Sequence, residues 1–154
     1  MSVKLREASI ASNVIFGENV TVITPSNLYG CVIHDDVFVG PFVEIQSDVV
    51  IGKRTRVQSH SFICSLVNIG KDCVIGHGVM FINDTFATGG PARGDQQLWK
   101  KTKVDDNVSI GSNATILPVT ICANVVIGAG AVVVSDIETS GIYAGCPARK
   151  IRDL

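Results

Sequence analysis

Residues 33–81 read IHDDVFVGPFVEIQSDVVIGKRTRVQSHSFICSLVNIGKDCVIGHGVMF, and one spacing runs through them without interruption. A large apolar residue recurs every six positions, at Ile33, Val39, Ile45, Ile51, Val57, Ile63, Ile69, Ile75 and Phe81. Four places after each of the first eight stands a smaller or β-branched residue: Val37, Val43, Val49, Thr55, Ser61, Val67, Cys73 and Val79. Each hexad therefore turns two side chains inward. An amphipathic helix repeats near 3.6 residues and a half-buried strand at two, so six fits neither alone. It fits a short flat strand followed by a corner, three of which close a triangular coil of about 18 residues in a β-helix of hexapeptide repeats.

The step extends in both directions. Ile10, Phe16, Val22 and Leu28 precede the run, with one residue missing before Ile33. Val104, Ile110 and Ile116 resume it, and Ile121, Ile127 and Val133 follow a second five-residue step at Ile116-Leu117-Pro118-Val119-Thr120-Ile121. Gly, Asn and Asp recur between inward positions, as in Gly17-Glu18-Asn19, Gly70-Lys71-Asp72 and Gly111-Ser112-Asn113, where a corner needs left-handed backbone. About nineteen hexads make about six coils, roughly 29 Å of prism at the spacing of hydrogen-bonded strands. Residue n then lies on residue n+18, which makes Ile33, Ile51 and Ile69 one internal ladder. Open ends of a solenoid need covering. Ser2 to Ala8 and the C-terminal segment 138–154 are the candidate caps. Residues 82–103 break the period and form one excursion loop, of the length that is more often functional than connecting.

Composition agrees with a single all-β domain over 1–154. Of the 154 residues 46% are hydrophobic but only 6% aromatic, as a narrow core of stacked aliphatics requires, and a formal charge of −1 provides no basic footprint for nucleic acid. No apolar run reaches the roughly 20 residues of a membrane span, and the N-terminal residues lack a signal-peptide core. A cytoplasmic protein without a membrane partner is expected. Five cysteines, Cys31, Cys64, Cys73, Cys122 and Cys146, contain no Cys-x-x-Cys pair, so neither a disulfide framework nor a zinc knuckle is expected.

Four passages carry a resemblance: Gln58-Ser59-His60-Ser61-Phe62-Ile63-Cys64, the run Ile75-Gly76-His77-Gly78-Val79-Met80-Phe81-Ile82-Asn83-Asp84, the terminal repeat Ile127 to Val133, and Ala144-Gly145-Cys146-Pro147-Ala148-Arg149. With the repeat they resemble the left-handed β-helix acyltransferases, and among these the bacterial N-acetyltransferases of nucleotide-linked amino sugars. The resemblance implies a homotrimer of parallel prisms, acetyl-CoA as co-substrate in the groove between two neighbours, and an acceptor sugar near the excursion loop. It also implies that Gly111, Ala129 and Ala131 border the pantetheine and that Arg149, Lys150 and Arg152 meet its phosphates. Two departures stand out: Cys146 replaces the usual Asn, and a glycine is missing between Pro118 and Val119.

Acyl transfer from a thioester to an amine needs a neutral amine, alignment, and stabilisation of a tetrahedral oxyanion; the thioester is already activated, so positioning weighs more than a strong base. His60 and His77, seventeen residues apart, fall at one corner of successive coils, and either imidazole can accept a proton near neutral pH. Asn83, where the chain leaves the prism, can donate to the oxyanion or hold the amine. Asp84 can orient or deprotonate an ammonium. Both also suit plain turn-making. Thr85 and Phe86 follow on the loop as acceptor-binding candidates. Trp99 with Lys100 can stack on a ring and meet a diphosphate, or else pin the loop to the prism.

Rival readings are specific. A metal-dependent β-helix enzyme needs a closer histidine set than His34, His60 and His77 provide, so no metal is expected. An assembly subunit would need no ligand loop. O-acetylation of a sugar or serine would need a histidine base, because a hydroxyl is far less acidic than an ammonium. No cysteine suits an acyl-enzyme: Cys73 is inward and Cys64 adjoins the inward Ile63.

Overall fold

The computed structural model describes residues 9–154. The chain winds as a left-handed parallel β-helix whose three faces are sheets of two- or three-residue strands. Face 1 stacks Ile15–Phe16, Val32–Ile33, Val50–Ile51, Val67–Ile69, Thr102–Val104 and Thr120–Ile121. Face 2 stacks Thr21–Val22, Phe38–Val39, Arg56–Val57, Val74–Ile75, Ser109–Ile110 and Val125–Ile127. Face 3 stacks Asn27–Leu28, Glu44–Ile45, Phe62–Ile63, Met80–Phe81, Thr115–Ile116 and Val132–Val133. Part-coils at Ile10, which bridges to Leu28, and at Ile137, which bridges to Ile121, extend six complete coils to about seven turns.

The register is that of the six-residue period. Ile33 pairs with Ile51, Val39 with Val57, and Ile45 with Ile63, each 18 residues on. The inward ladders Ile33, Ile51, Ile69 and Leu28, Ile45, Ile63, Phe81 are fully buried. Each such side chain contributes about 1.5–3 kcal/mol by leaving water. Polar inward residues are satisfied by corner carbonyls: Thr55 Oγ1 donates to the Gly70 carbonyl at 2.8 Å and accepts from the Cys73 N–H at 3.0 Å. Stacked coils leave no room for a Cβ at some corners; one on Gly52 would lie 2.4 Å from the Gly70 carbonyl carbon.

The three edges of the prism differ. The edge from face 1 to face 2 turns through left-handed Asn19, Asp36, Arg54, Asp72, Asn107 and Asn124. Its side chains pair with one another: Lys53 with Asp35 at 2.6 Å, and Arg54 with both oxygens of Asp72 at 2.6 and 2.7 Å. The edge from face 3 to face 1 holds every irregularity of the repeat. Both five-residue steps, Leu28 to Ile33 and Ile116 to Ile121, lie there, and so does the excursion.

Thr102, buried beneath that edge, already belongs to a face 1 strand, so the excursion is 82–101 and ends two residues earlier than the period predicts. At the C-terminus Gly141–Ala144 continues face 2 beyond Val125–Ile127, and Arg149–Arg152 folds back on it antiparallel. The cap expected at Ser2 to Ala8 lies outside the described residues.

Candidate active site

The remaining edge, from face 2 to face 3, carries both candidate histidines. His60 and His77 sit in adjacent coils, one place out of register: the Gly78 N–H, not that of His77, donates to the Ser59 carbonyl at 3.0 Å. Their partners differ accordingly. His77 Nδ1 lies 2.8 Å from Ser59 Oγ, which leaves Nε2 facing outward from an exposed ring. His60 adopts φ +64° and its ring lies 4.9 Å from that of Phe42 in the coil below.

Above His77 the same edge becomes small. The Asn113 N–H donates to the His77 carbonyl at 2.8 Å, and the Gly130 N–H to the Ser112 carbonyl at 2.9 Å, so Ser112 and Ala129 follow His77 up the edge. Gly111 touches Ala129 so closely that an added Cβ would lie 2.5 Å from the Ala129 nitrogen. Then comes the hairpin turn: the Val132 N–H donates to the Gly145 carbonyl at 3.0 Å, and the Ala148 N–H to the Val132 carbonyl at 2.8 Å. Arg149 and Lys150 line a cavity of about 260 Å³ with Asp136, Ile137 and Tyr143, beside the corner that follows face 3 and not on the histidine edge itself. Lys150 and Arg152 both reach Asp153, the first through a 2.7 Å ion pair and the second through its carbonyl at 3.0 Å.

Ala131 does not belong to this track. Its side chain is fully buried, and its N–H and C=O are used by Gly128 and Thr115 within the prism, so it fills core rather than bordering a cofactor.

Asn83 and Asp84 lie across face 3, on the edge that bears the loop. Asn83 Nδ2 donates to the Ser65 carbonyl at 3.1 Å, and its own carbonyl accepts the Lys100 N–H at 2.9 Å, which draws the two ends of the loop together. One amide N–H of Asn83 is thereby committed and a second is left. Asp84 Oδ1 accepts the Phe86 N–H at 2.9 Å and Oδ2 the Ala92 N–H at 2.7 Å, so both of its oxygens organise loop backbone. Thr85 and Trp99 are half-buried, Lys100 is exposed, and Phe86 stands 60% exposed at φ +52°. His77 and Asn83 are six residues apart, one full hexad, so a single chain holds its histidines and its Asn83-Asp84 pair on opposite sides of face 3.

The thiols offer no nucleophile within the core. Burial pushes Cys64 up to about 12 and Cys31 up to about 11, and it also raises Cys73. Ser59 and Ser112 escaped sequence reasoning, although the 18-residue stacking rule applied to His77 would have picked out Ser59.

Residues 30–65 match the bacterial transferase hexapeptide family (six repeats), and residues 101–135 match the hexapeptide repeat of succinyl-transferase. Two stretches of the chain therefore carry hexapeptide transferase repeats. A curated relative, the bifunctional protein GlmU of Baumannia cicadellinicola, is 34% identical over 73% of the chain, which spans only 22% of that relative's length. A hexapeptide-repeat acetyltransferase from Vibrio cholerae, solved with acetyl-CoA, superimposes with a TM-score of 0.63 at 22% identity, covering 92% of this chain and 71% of that one. A perosamine N-acetyltransferase from Caulobacter crescentus, solved with CoA and GDP-perosamine, also gives 0.63 at 22% identity, covering 96% and 57%. These two likenesses establish a shared fold.

Proposed function

We propose that this protein is an acetyl-CoA-dependent N-acetyltransferase acting on the amine of a nucleotide-linked amino deoxysugar, at sites between neighbouring prisms of a homotrimer. The observation that carries the reading is the edge between faces 2 and 3, where an exposed track of small residues links the basic hairpin to His77. Phosphates of acetyl-CoA meet Arg149, Lys150 and Arg152, and the pantetheine runs past Ala129 and Gly111. The thioester then lies beside His77. Because Asn83 and Asp84 occupy the far side of face 3, a neighbouring prism supplies that half of each site, with Thr85, Phe86, Trp99 and Lys100 holding the acceptor.

The sugar amine attacks the thioester carbon directly, the C–S bond breaks, and coenzyme A leaves as its thiol. The proton lost by the amine passes to His77 Nε2 and from there to the departing sulfur, with Ser59 holding Nδ1. The uncommitted N–H of Asn83 stabilises the oxyanion, and Asp84 keeps the loop in place for it. His60 is the second candidate base on the same edge. A cytoplasmic location fits the supply of acetyl-CoA and cysteines left as thiols.

Thiol release from acetyl-CoA, measured with 3- and 4-amino sugars linked to dTDP, UDP or GDP, tests the reading. At least one should react, and His77→Ala should lower its kcat/KM about 100-fold, at the low end for a proton-transfer group. Absence of acetyl-CoA binding at millimolar concentration would refute it, as would an acetyl group retained on cysteine. The Ser59–His77 pair also favours a second reading, transfer to a hydroxyl, for which loss of His77 should abolish rather than weaken turnover.

A further inference from the structure

The left-handed corners of the prism follow a rule that four residues break, two of them without an evident return. Where φ is positive the chain places Asn or Asp at 19, 36, 48, 72, 107, 113 and 124, and Gly at 30, 78 and 130. Those residues bear left-handed backbone at least cost. Arg54 departs from the rule but recovers a bidentate ion pair. Leu66 departs beneath the loop, where its carbonyl accepts the Thr102 N–H. Phe42 and His60 depart in consecutive coils of one edge, at φ +60° and +64°, with ring centroids 4.9 Å apart and planes tilted by 33°. Phe42 gains little burial in return, since 56% of its surface is exposed. A bulky aromatic held in strained backbone and left open to solvent marks a place where something else is expected to lie.

That place has a shape. Phe42 forms one wall of a depression of about 270 Å³ with Pro25, Asn27 and Glu44. Ligand sites begin near about 300 Å³, so it admits one ring system rather than a whole nucleotide sugar. Glu44 Oε1 is held by Gln46 Nε2 at 3.0 Å and by the Tyr29 hydroxyl at 3.4 Å, while Oε2 makes no hydrogen bond among the described residues. Oε2 and the Asn27 amide can read the edge of a ring lying on Phe42.

We propose that the Phe42–His60 pair is the platform for the nucleobase of the acceptor, with Asn27 and Glu44 contacting its polar edge or its ribose. This rests on the reading of the acceptor as a nucleotide-linked sugar. The adenine of coenzyme A is the other planar ring at hand, but the basic hairpin lies five coils from Phe42, roughly 24 Å. Phe42 lies only two coils, about 10 Å, from His77 along the same edge, a gap for pyrophosphate and sugar to bridge.

Phe42→Asn separates function from architecture, because Asn suits the corner while the stacking face is lost. UDP, dTDP and GDP are titrated calorimetrically into the intact protein and the variant, with acetyl-CoA and 3′,5′-ADP as parallel arms. At least one nucleoside diphosphate should bind, the variant should bind it about ten-fold or more weakly, and acetyl-CoA affinity and melting temperature should not fall. The inference is overturned if no nucleoside diphosphate binds, or if the variant binds it unchanged. A variant that weakens the 3′,5′-ADP arm instead assigns the platform to the cofactor, and one that lowers both melting temperature and oligomer size assigns Phe42 to contact between copies; both outcomes refute the proposal. If nucleoside diphosphate binds through Phe42 but acetyl-CoA does not bind, the platform stands and the acetyltransferase reading falls.

Discussion

Two edges of this prism answer the same backbone demand in opposite ways. On the edge between faces 1 and 2 the corner residues are charged or amide-bearing and engage one another up the stack, Asp35 with Lys53 and Arg54 with Asp72. On the edge between faces 2 and 3 most are aromatic, imidazole or small; Ser59 pairs with His77 and Phe42 packs on His60, but among the described residues this edge has no ion pair. The first edge is finished within the chain. The second awaits contact from outside it, and both the proposed acetyl-CoA track and the proposed nucleobase platform lie there. In a solenoid, where one coil resembles the next, the proposed site is marked by the edge whose corners lack the charge pairs of the other.

The largest expected effect lies beneath both edges and should not distinguish them. Ile69→Ala removes a fully buried rung and should cost about 2–5 kcal/mol in urea unfolding. A loss below about 1 kcal/mol would mean that the edges rather than the ladders hold the coils together. Next in size is the loop. Asp84→Ala frees the Phe86 and Ala92 amides, so their hydrogen exchange should accelerate by the equivalent of about 1.5–3 kcal/mol while amides of the ladder strands stay protected.

On the open edge, Ser59→Ala should lower kcat roughly ten-fold, about 1.4 kcal/mol, with little change in unfolding midpoint. It should also move the pH profile of kcat, which a merely structural serine would not do. The smallest effect belongs to the closed edge. The Arg54 guanidinium, by hydrogen bonding, holds Asp72 below the usual carboxylate value of 3.8. The pair therefore stabilises the fold fully above about pH 4, and that contribution is lost as pH falls through the lowered value. Asp72→Asn should flatten the acid limb of stability measured between about pH 4 and 2, and high salt should shrink the difference.

Much of this was legible in the residues, because a triangular coil imposes a period that no helix or plain strand shares. The inward ladders, the stacking interval of 18 and the shared edge of His60 and His77 all follow from counting. What escaped was chemistry that one residue type performs in two settings. Ala131 and Ala129 are both small, and only their direction separates core filler from exposed track. Thr102 was missed as the return to the prism because a buried threonine is polar by composition, although its hydroxyl reaches the Leu117 carbonyl at 3.5 Å. The carboxylate of Asp84 reads equally as acid–base group or turn-maker, and its hydrogen bonds show which backbone amides occupy it.

The edge that collects the irregular steps has a consequence for how such a chain can be respliced. Every gain or loss of length falls on one seam, so additions and deletions there do not shift the stacking of the other two edges. The loop meets that seam with its ends already joined, Lys100 to Asn83 at 2.9 Å. Residues between them can be exchanged for another sequence, or cut to a bare corner like that at Tyr29-Gly30-Cys31, without moving a rung of the core. The prism is thus a fixed spindle with one interchangeable attachment, and under the proposed function a change of acceptor would require new residues only at that attachment and along the open edge.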